Sequence, residues 1–344
     1  MKVTIGIDPH KGSHTAVAID TNETNLAEIR VAATPSQTDE LLCWAARFDQ
    51  RRWAIESAQG LGYLLSQQLV AAGEEVVDVP AVLAARVRVL STGRSQKNDP
   101  NDAHSVAIAA LRSKRLATVS ADDHTRVLRL LAKRHRDLGR LKNVAACRLH
   151  ALLGELTPGG VATQMTSTRA NTILDNIETN DAMAAFRVEL CREILEDIDR
   201  YDTQMKASKK RIRAAVAASS TSLEQIYGCG PICTATIIGQ SGDIARFASR
   251  AHYASYNATA PIEASSGNKQ RHRLNPKGNR QLNWAIHMIA VTQLRNPGTQ
   301  GRLYFDRKVA DGKTNKEAMR ALKRRISDVV YRHLVADAEQ LRHA

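Results

Sequence analysis

Residues 3–7 (VTIGI) and 15–19 (TAVAI) are short apolar runs rich in β-branched side chains, separated by the turn-forming stretch 8–14. This alternation predicts the two strands of a hairpin. A third strand is predicted at 27–32, after the polar segment 21–25, and helical spacing follows at Leu41, Leu42, Ala45 and Phe48. A fourth strand at 52–56, a helix at 61–72, a fifth strand at 75–79 and helices from Pro80 and from Asp99 complete the pattern. The order β-β-β-α-β-α-β-α predicts a mixed sheet with helices on its faces, an α/β layer architecture.

The period changes from about residue 122, where Leu128, Leu131, His135, Leu138, Leu141, Ala145 and Leu152 recur at spacings of three, four and seven. A long amphipathic helix fits that spacing. TPGG at 157–160 breaks it, and a second arm carries Phe186, Leu190, Ile194, Ile198, Tyr201, Met205 and Ile212. Each arm reads either as a plain core helix or as one side of an oligomerising seam. SSTS at 219–222 marks a boundary, after which an apolar helix meets the Gly228-Cys229-Gly230 turn and a new helix opens with Pro231 at its first position. Such a helix-hairpin-helix-like segment can present the backbone at Gly228 and Gly230 to a phosphate, or simply connect two helices. A polar, basic loop is expected at 265–280, then helices at 280–294 and 316–341. The expected division is an α/β domain at 1–118, a helical coiled-coil middle at 119–221 and a mainly α-helical domain at 222–344.

Charge narrows the choice of partner. Among 344 residues, 49 Lys and Arg oppose 35 Asp and Glu, a net charge of +14, which points to a polyanion. The excess is concentrated: from residue 267 to the end there are 17 basic and 6 acidic residues. Lys269, Arg271, Arg273, Lys277, Arg320, Lys323 and Arg324 are therefore candidate phosphate contacts. At 4% aromatic residues the chain lacks the means for a stacking platform along a single strand, which favours backbone contacts to a duplex or a folded RNA. Five cysteines, mostly far apart and with only Cys229 and Cys233 at a CxxxC spacing, exclude a zinc ribbon and suit a reducing cytoplasm. No run of eighteen apolar residues and no leader-like opening occur, so a cytoplasmic protein without a membrane span is expected.

The candidate chemistry lies in four carboxylates. Asp8 closes the first strand, where aspartate is also an ordinary turn residue. Glu56 closes the strand at 52–56, where an edge salt bridge would equally account for it. Asp99, Pro100 and Asp102 form a well-made helix start, and capping alone explains both aspartates. Their three-residue spacing also puts them on one helical face, able to share a cation. The succession of strand-end Asp, strand-end Glu and an Asp pair opening a later helix resembles the ribonuclease-H-like, RuvC-type nuclease fold. In that fold the carboxylates converge on two divalent ions. Hard oxygen donors suit Mg²⁺ or Mn²⁺, and no His or Cys cluster competes for a softer metal.

Within that fold the chain resembles the DEDD transposases of insertion-sequence family 110 and the related Piv invertases. The matching stretches are GIDPHK at 6–11, AIESAQG at 54–60 and KNDPNDA at 97–103. They continue with GCGPICTATIIGQSGDIARF at 228–247 and YNATAPIEASSGNKQRHRLNPKGNRQLNWAI at 256–286. The resemblance implies that Asp8, Glu56, Asp99 and Asp102 are catalytic metal ligands and that Ser266 is a nucleophile, with Ser265 its neighbouring alternative. It also implies strand exchange through a phosphoserine on donor and target DNA, guided by a structured noncoding RNA. Because the site's two halves would come from different protomers, a homo-oligomer is expected, a dimer or tetramer. Three other readings remain: a hydrolytic RuvC-like Holliday-junction nuclease, which leaves the C-terminal region unexplained; an ATPase of the actin and sugar-kinase type, for which no second glycine-rich phosphate hairpin exists; and a non-catalytic DNA-binding protein.

Overall fold

The computed structural model describes residues 2–92, 99–113, 116–162, 165–179, 181–263, 272–273, 275–276 and 278–343. It divides into two compact units, Met1–Asp122 and Asp123–Ala344.

The first unit runs β1 (Lys2–Pro9), β2 (Ser13–Ile19), β3 (Asn25–Ala32), α1 (Gln37–Ala45), β4 (Gln50–Glu56), α2 (Tyr63–Ala71), β5 (Val76–Val79), α3 (Ala81–Thr92), α4 (Asp99–Arg112) and β6 (Ala117–Thr118). The sheet order is β3-β2-β1-β4-β5-β6. The first three strands form an antiparallel meander, β1, β4 and β5 are parallel, and β6 closes the edge antiparallel to β5. A three-stranded meander continued by parallel strands, with helices on both faces, is the ribonuclease-H-like α/β architecture. The two-residue strand β6 was not foreseen: at that length neither alternation nor apolar content marks it.

Successive side chains of a strand point to opposite faces, so each strand divides its residues between two cores. Ile5, Ile7, Trp53 and Ile55 pack with Leu41, Leu65 and Leu69 of α1 and α2. Ala54, Val77 and Val79 pack instead with Val106, Ala109 and Ala110 of α4. Gly6 lies on the α4 side of β1, where a β-carbon would overlap the Ala103 carbonyl oxygen and stand 2.5 Å from the Ala107 nitrogen. Only glycine admits this approach, which brings the helix backbone directly onto the strand.

The second unit is helical. Helices α5 (His124–Leu156) and α7 (Ala182–Ala218), with α6 (Ser167–Asp175) between them, match the two predicted arms. They run antiparallel, tied by Lys142–Asp202 at 2.5 Å and Arg187–Glu155 at 2.8 Å, around a core that includes Leu149, Leu153, Cys191 and Leu195. Phe186 and Leu141, which the spacing places on the apolar stripes of the two arms, are exposed, as are Met183 on α7 and Val127, Leu130 and Val144 on α5.

Where the sequence predicts an apolar helix before the Gly228-Cys229-Gly230 turn, the chain forms only a short 3₁₀ turn at Ser222–Gln225; beyond it come α8 (Pro231–Ser241), α9 (Arg250–Tyr256), the short strands β7 (Ile262–Glu263) and β8 (His272–Arg273), α10 (Arg280–Arg295), α11 (Gln300–Ala310) and α12 (Asn315–His343). Helix α11 is an addition to the predicted order. Leu128 and Ala132 of α5, with Ile212 and Val216 of α7, join Ile237, Ile286, Ile289, Leu322 and Val330 in one core. Among the described residues no helix is long and apolar enough to cross a membrane.

The glycine contact gives the first prediction. Gly6→Ala must displace α4 and should cost about 1–3 kcal/mol, as overpacked cores do, whereas Gly12→Ala, with nothing within 4 Å of the new β-carbon, should be close to neutral. Urea unfolding of the two variants checks this, and equal midpoints would mean that α4 does not press on β1.

Candidate functional site

Register places the first two carboxylates. Ile7 of β1 pairs with Ile55 of β4, so Asp8 and Glu56 each stand one residue beyond that pair, on neighbouring parallel strands and on the same face. It is the face Gly6 opens to α4. Asp8 is buried and Glu56 half-buried. Directly after Glu56 the chain turns through Ser57, whose φ of +50° is a left-handed conformation that serine rarely adopts. The turn delivers the Ala58 N–H to Asp78 Oδ1 at 2.8 Å, and burial pushes the Asp78 carboxyl above its ordinary range. Asp78 thus braces the end of β4.

Helix α4 supplies the other two. Its close passage over Gly6 carries its first turn past the end of β1, where Asp99 is half-buried and Asp102 buried. Positive partial charge at the helix N-terminus favours anions there. The structure brings Asp8 and Asp99 together, with His10 between them: His10 Nε2 is 3.2 Å from Asp8 and 3.3 Å from Asp99. Donor atoms of these three side chains all lie within 4.8 Å of one another. Arg88 of α3 forms an ion pair with Asp102. That hydrogen bond, with the charges of Asp102, Glu56 and Asp8 around it, holds the Arg88 guanidinium above its ordinary pKa. Arg30 of β3 approaches Asp99 at 3.7 Å.

His10 and Arg88 were not among the residues singled out from the sequence. His10 was legible in DPHK, since it follows Asp8 by two residues, directly past the end of β1. Arg88, in a helix of mixed pattern, carried no such signal. The donor set is mostly carboxylate oxygen with one imidazole, chemistry that suits Mg²⁺ or Mn²⁺ and tolerates a borderline ion. Asp8, His10 and Asp99 could hold one ion between them.

The C-terminal candidates are placed less completely. Ser265, Ser266, Lys269, Arg271 and Lys277 lie outside the described residues, as does the side chain of Arg273. Strands β7 and β8, which flank the serines in sequence, pair Ile262 with Arg273 and Glu263 with His272. Gly228 has a φ of +89° in the turn before α8, and Gly230 is the residue that precedes Pro231 at the helix start. On α12, Arg320 is exposed. Arg324 pairs with Asp328, and Lys323 is half-buried with its ammonium donating to Asn283 at 2.6 Å. Burial, with Arg280 nearby, lowers the pKa of Lys323.

Known proteins give the geometry a context. A DEDD transposase family model of the IS110 type matches residues 5–158, and the model of the transposase IS116/IS110/IS902 family matches residues 220–305. The insertion element IS116 44.8 kDa protein of Streptomyces clavuligerus is 26% identical, over 96% of this chain and 94% of its own length. The insertion element IS900 42 kDa protein of Mycobacterium paratuberculosis is also 26% identical, with the same coverage. A stretch of 131 residues is 34% identical to the insertion element IS110 43.6 kDa protein of Streptomyces coelicolor, over 37% of this chain and 32% of that protein. Among solved structures, Thermus thermophilus RuvC in complex with a Holliday junction substrate is similar at 15% identity and a TM-score of 0.28, over 35% of this chain and all of that one. The first family model covers the carboxylate-bearing unit and runs on through α5, the second lies further along the helical unit, and together they span more than half of the chain, which belongs to the IS116/IS110/IS902 family of insertion-element transposases.

Proposed function

We propose that this transposase cuts and rejoins DNA strands by phosphoryl transfer assisted by a divalent cation, with Asp8, Glu56, Asp99 and Asp102 as the metal-binding carboxylates and Ser266 as the nucleophile. The observation that carries the reading is the convergence of Asp8, His10 and Asp99 at the mouth of the sheet, with Asp102 and Arg88 beside them. Bound Mg²⁺ or Mn²⁺ supplies Lewis-acid stabilisation of charge on the phosphoryl oxygens and favours the serine alkoxide.

The protein's own contribution is placement. Two neighbouring strands and one helix N-terminus hold the four acids on elements that cannot drift relative to one another. His10 holds the Asp8 and Asp99 carboxylates in a fixed relation. Ser266 Oγ forms a bond to phosphorus as the bond to a deoxyribose oxygen breaks and that oxygen takes up a proton. The phosphodiester energy is retained in the serine ester, so the reverse step joins the strand to a new partner without ATP.

A net charge of +14, concentrated toward the C-terminus, supports a second polyanion besides DNA, a structured noncoding guide RNA. The exposed apolar residues of α5 and α7 support self-association.

Two outcomes test the reading. Saturating Mn²⁺ or Mg²⁺ should raise the melting temperature of the full chain, by the equivalent of about 2.7 kcal/mol at a hundredfold excess over Kd. Asp8→Asn and Asp99→Asn should lose that rise while folding normally; an unchanged rise would place the metal elsewhere. In the presence of the cation and the element's RNA, wild type should form a denaturation-resistant adduct with labelled DNA that Ser266→Ala cannot form. Loss in Ser265→Ala instead moves the nucleophile by one residue, and efficient cleavage with no adduct in wild type makes the enzyme a hydrolytic nuclease.

A further inference from the structure

Helices α5, α7, α8 and α10 of the second unit enclose a cavity of about 670 Å³, a size typical of small-ligand sites. Its composition is unusual for a gap in a helical bundle. Trp284 of α10, a residue 44% exposed, lines it, whereas Trp44 and Trp53 are buried in the first unit. Arg136 and Arg140 line the same cavity from successive turns of α5, and among the described residues that line it there is no carboxylate. Arg136 is held by Gln281 Oε1 at 2.8 Å. His135 contributes a buried Nδ1 with no hydrogen-bond partner among the described residues. Burial, with Lys209 nearby, lowers the His135 pKa, so the ring is disposed to offer a neutral donor or acceptor.

An exposed indole beside two guanidinium groups and an unsatisfied imidazole matches the chemistry of one nucleotide. A nucleotide has a flat π-face for the indole, polar base edges for the imidazole and a phosphate for the arginines. An apolar peptide would bring no anion to the two guanidinium groups, and a second copy of a chain carrying +14 brings like charge to them. The low aromatic content denies the chain a long stacking platform, but a single extruded base needs a single ring. We infer that this cavity receives one unpaired nucleotide of the bound nucleic acid, its base against Trp284 and its phosphates toward Arg136 and Arg140. The inference rests on the reading that nucleic acid is the partner, and adds to it a base-binding site.

Gly139 provides a control that removes no charge. A β-carbon there meets only the Met205 methyl, at 3.8 Å, so Gly139→Leu can grow into the cavity without a backbone clash and improves helix propensity. The full chain is titrated with fluorescein-labelled single-stranded pentanucleotides of RNA and of DNA, each with a central adenosine or a central abasic residue. Wild type should bind the adenosine form roughly tenfold or more tightly than the abasic form, as one stacked base contributes. The strand type showing the larger ratio identifies which nucleic acid supplies the base. Trp284→Ala and Gly139→Leu should bind both forms alike, at the weaker affinity, with melting temperatures near wild type, and Trp284→Phe should keep part of the ratio.

A ratio of one in wild type, or a wild-type ratio in both variants, overturns the site. So does Trp284 fluorescence that shifts with protein concentration alone, which would show the cavity covered by a second copy. If these fail while Mn²⁺ still stabilises the protein and the serine adduct still forms, the cavity reading falls alone; if no oligonucleotide binds and no adduct forms, the transposase chemistry falls with it.

Discussion

The contact between the backbone of α4 and the backbone of β1 at Gly6 governs the geometry of the first unit's sheet edge. With no side chain on the strand at that point, the helix settles onto it near Ala103 and Ala107. Just before that contact on the same helix are Asp102 and, one turn back, Asp99, and two residues later on the same strand is Asp8. A larger residue at position 6 would lift the helix and part the carboxylates. The other acid, Glu56, is fixed independently by parallel pairing of β4 with β1 and by the left-handed turn at Ser57, which Asp78 holds closed. Backbone packing and register, rather than side-chain choice, therefore decide how near the acids come.

Four carboxylates at one edge repel each other, and burial strengthens that repulsion. The fold offsets it in parts: the N-terminus of α4 faces Asp8, Arg88 pairs with Asp102, and His10 joins Asp8 to Asp99. None of these is an arrangement a stable core requires, since an apolar cluster of similar volume would cost less. A mouth of oxygen donors, one imidazole and one movable guanidinium is intelligible as a cation site whose local positive charges stand close enough to exchange with an ion. The half-exposed positions of Asp99 and Arg88 leave room for that exchange.

Most of the first unit was legible in the sequence because its strands are short, β-branched and separated by turn residues. Carboxylates at the ends of 3–7 and 52–56, and a Pro-flanked aspartate pair, are visible without a structure. The long helices α5 and α7 were equally visible through their apolar spacing. What escaped has identifiable causes. Strand β6 has two residues and depends wholly on pairing with β5. Helix α11 interleaves charged and apolar residues without a clean helical stripe and owes its place to packing. His10 belongs to no acidic pattern, and Arg88 meets Asp102 only because α3 and α4 lie side by side. Lys323, which composition marks as a phosphate contact, spends its ammonium on Asn283, a choice that only tertiary packing reveals. Ser266 rests on the family resemblance, its position lying outside the described residues.

The central claim is that the carboxylates at the sheet edge exist to hold a divalent cation. Anomalous diffraction from crystals of the full chain soaked in Mn²⁺ addresses it without reliance on activity. The account predicts a manganese peak at about 2.0–2.6 Å, the range of oxygen ligation, from carboxylate oxygens of Asp8 and Asp99, with Glu56 or Asp102 completing the shell. A map with no manganese at this edge at saturating Mn²⁺ would contradict it.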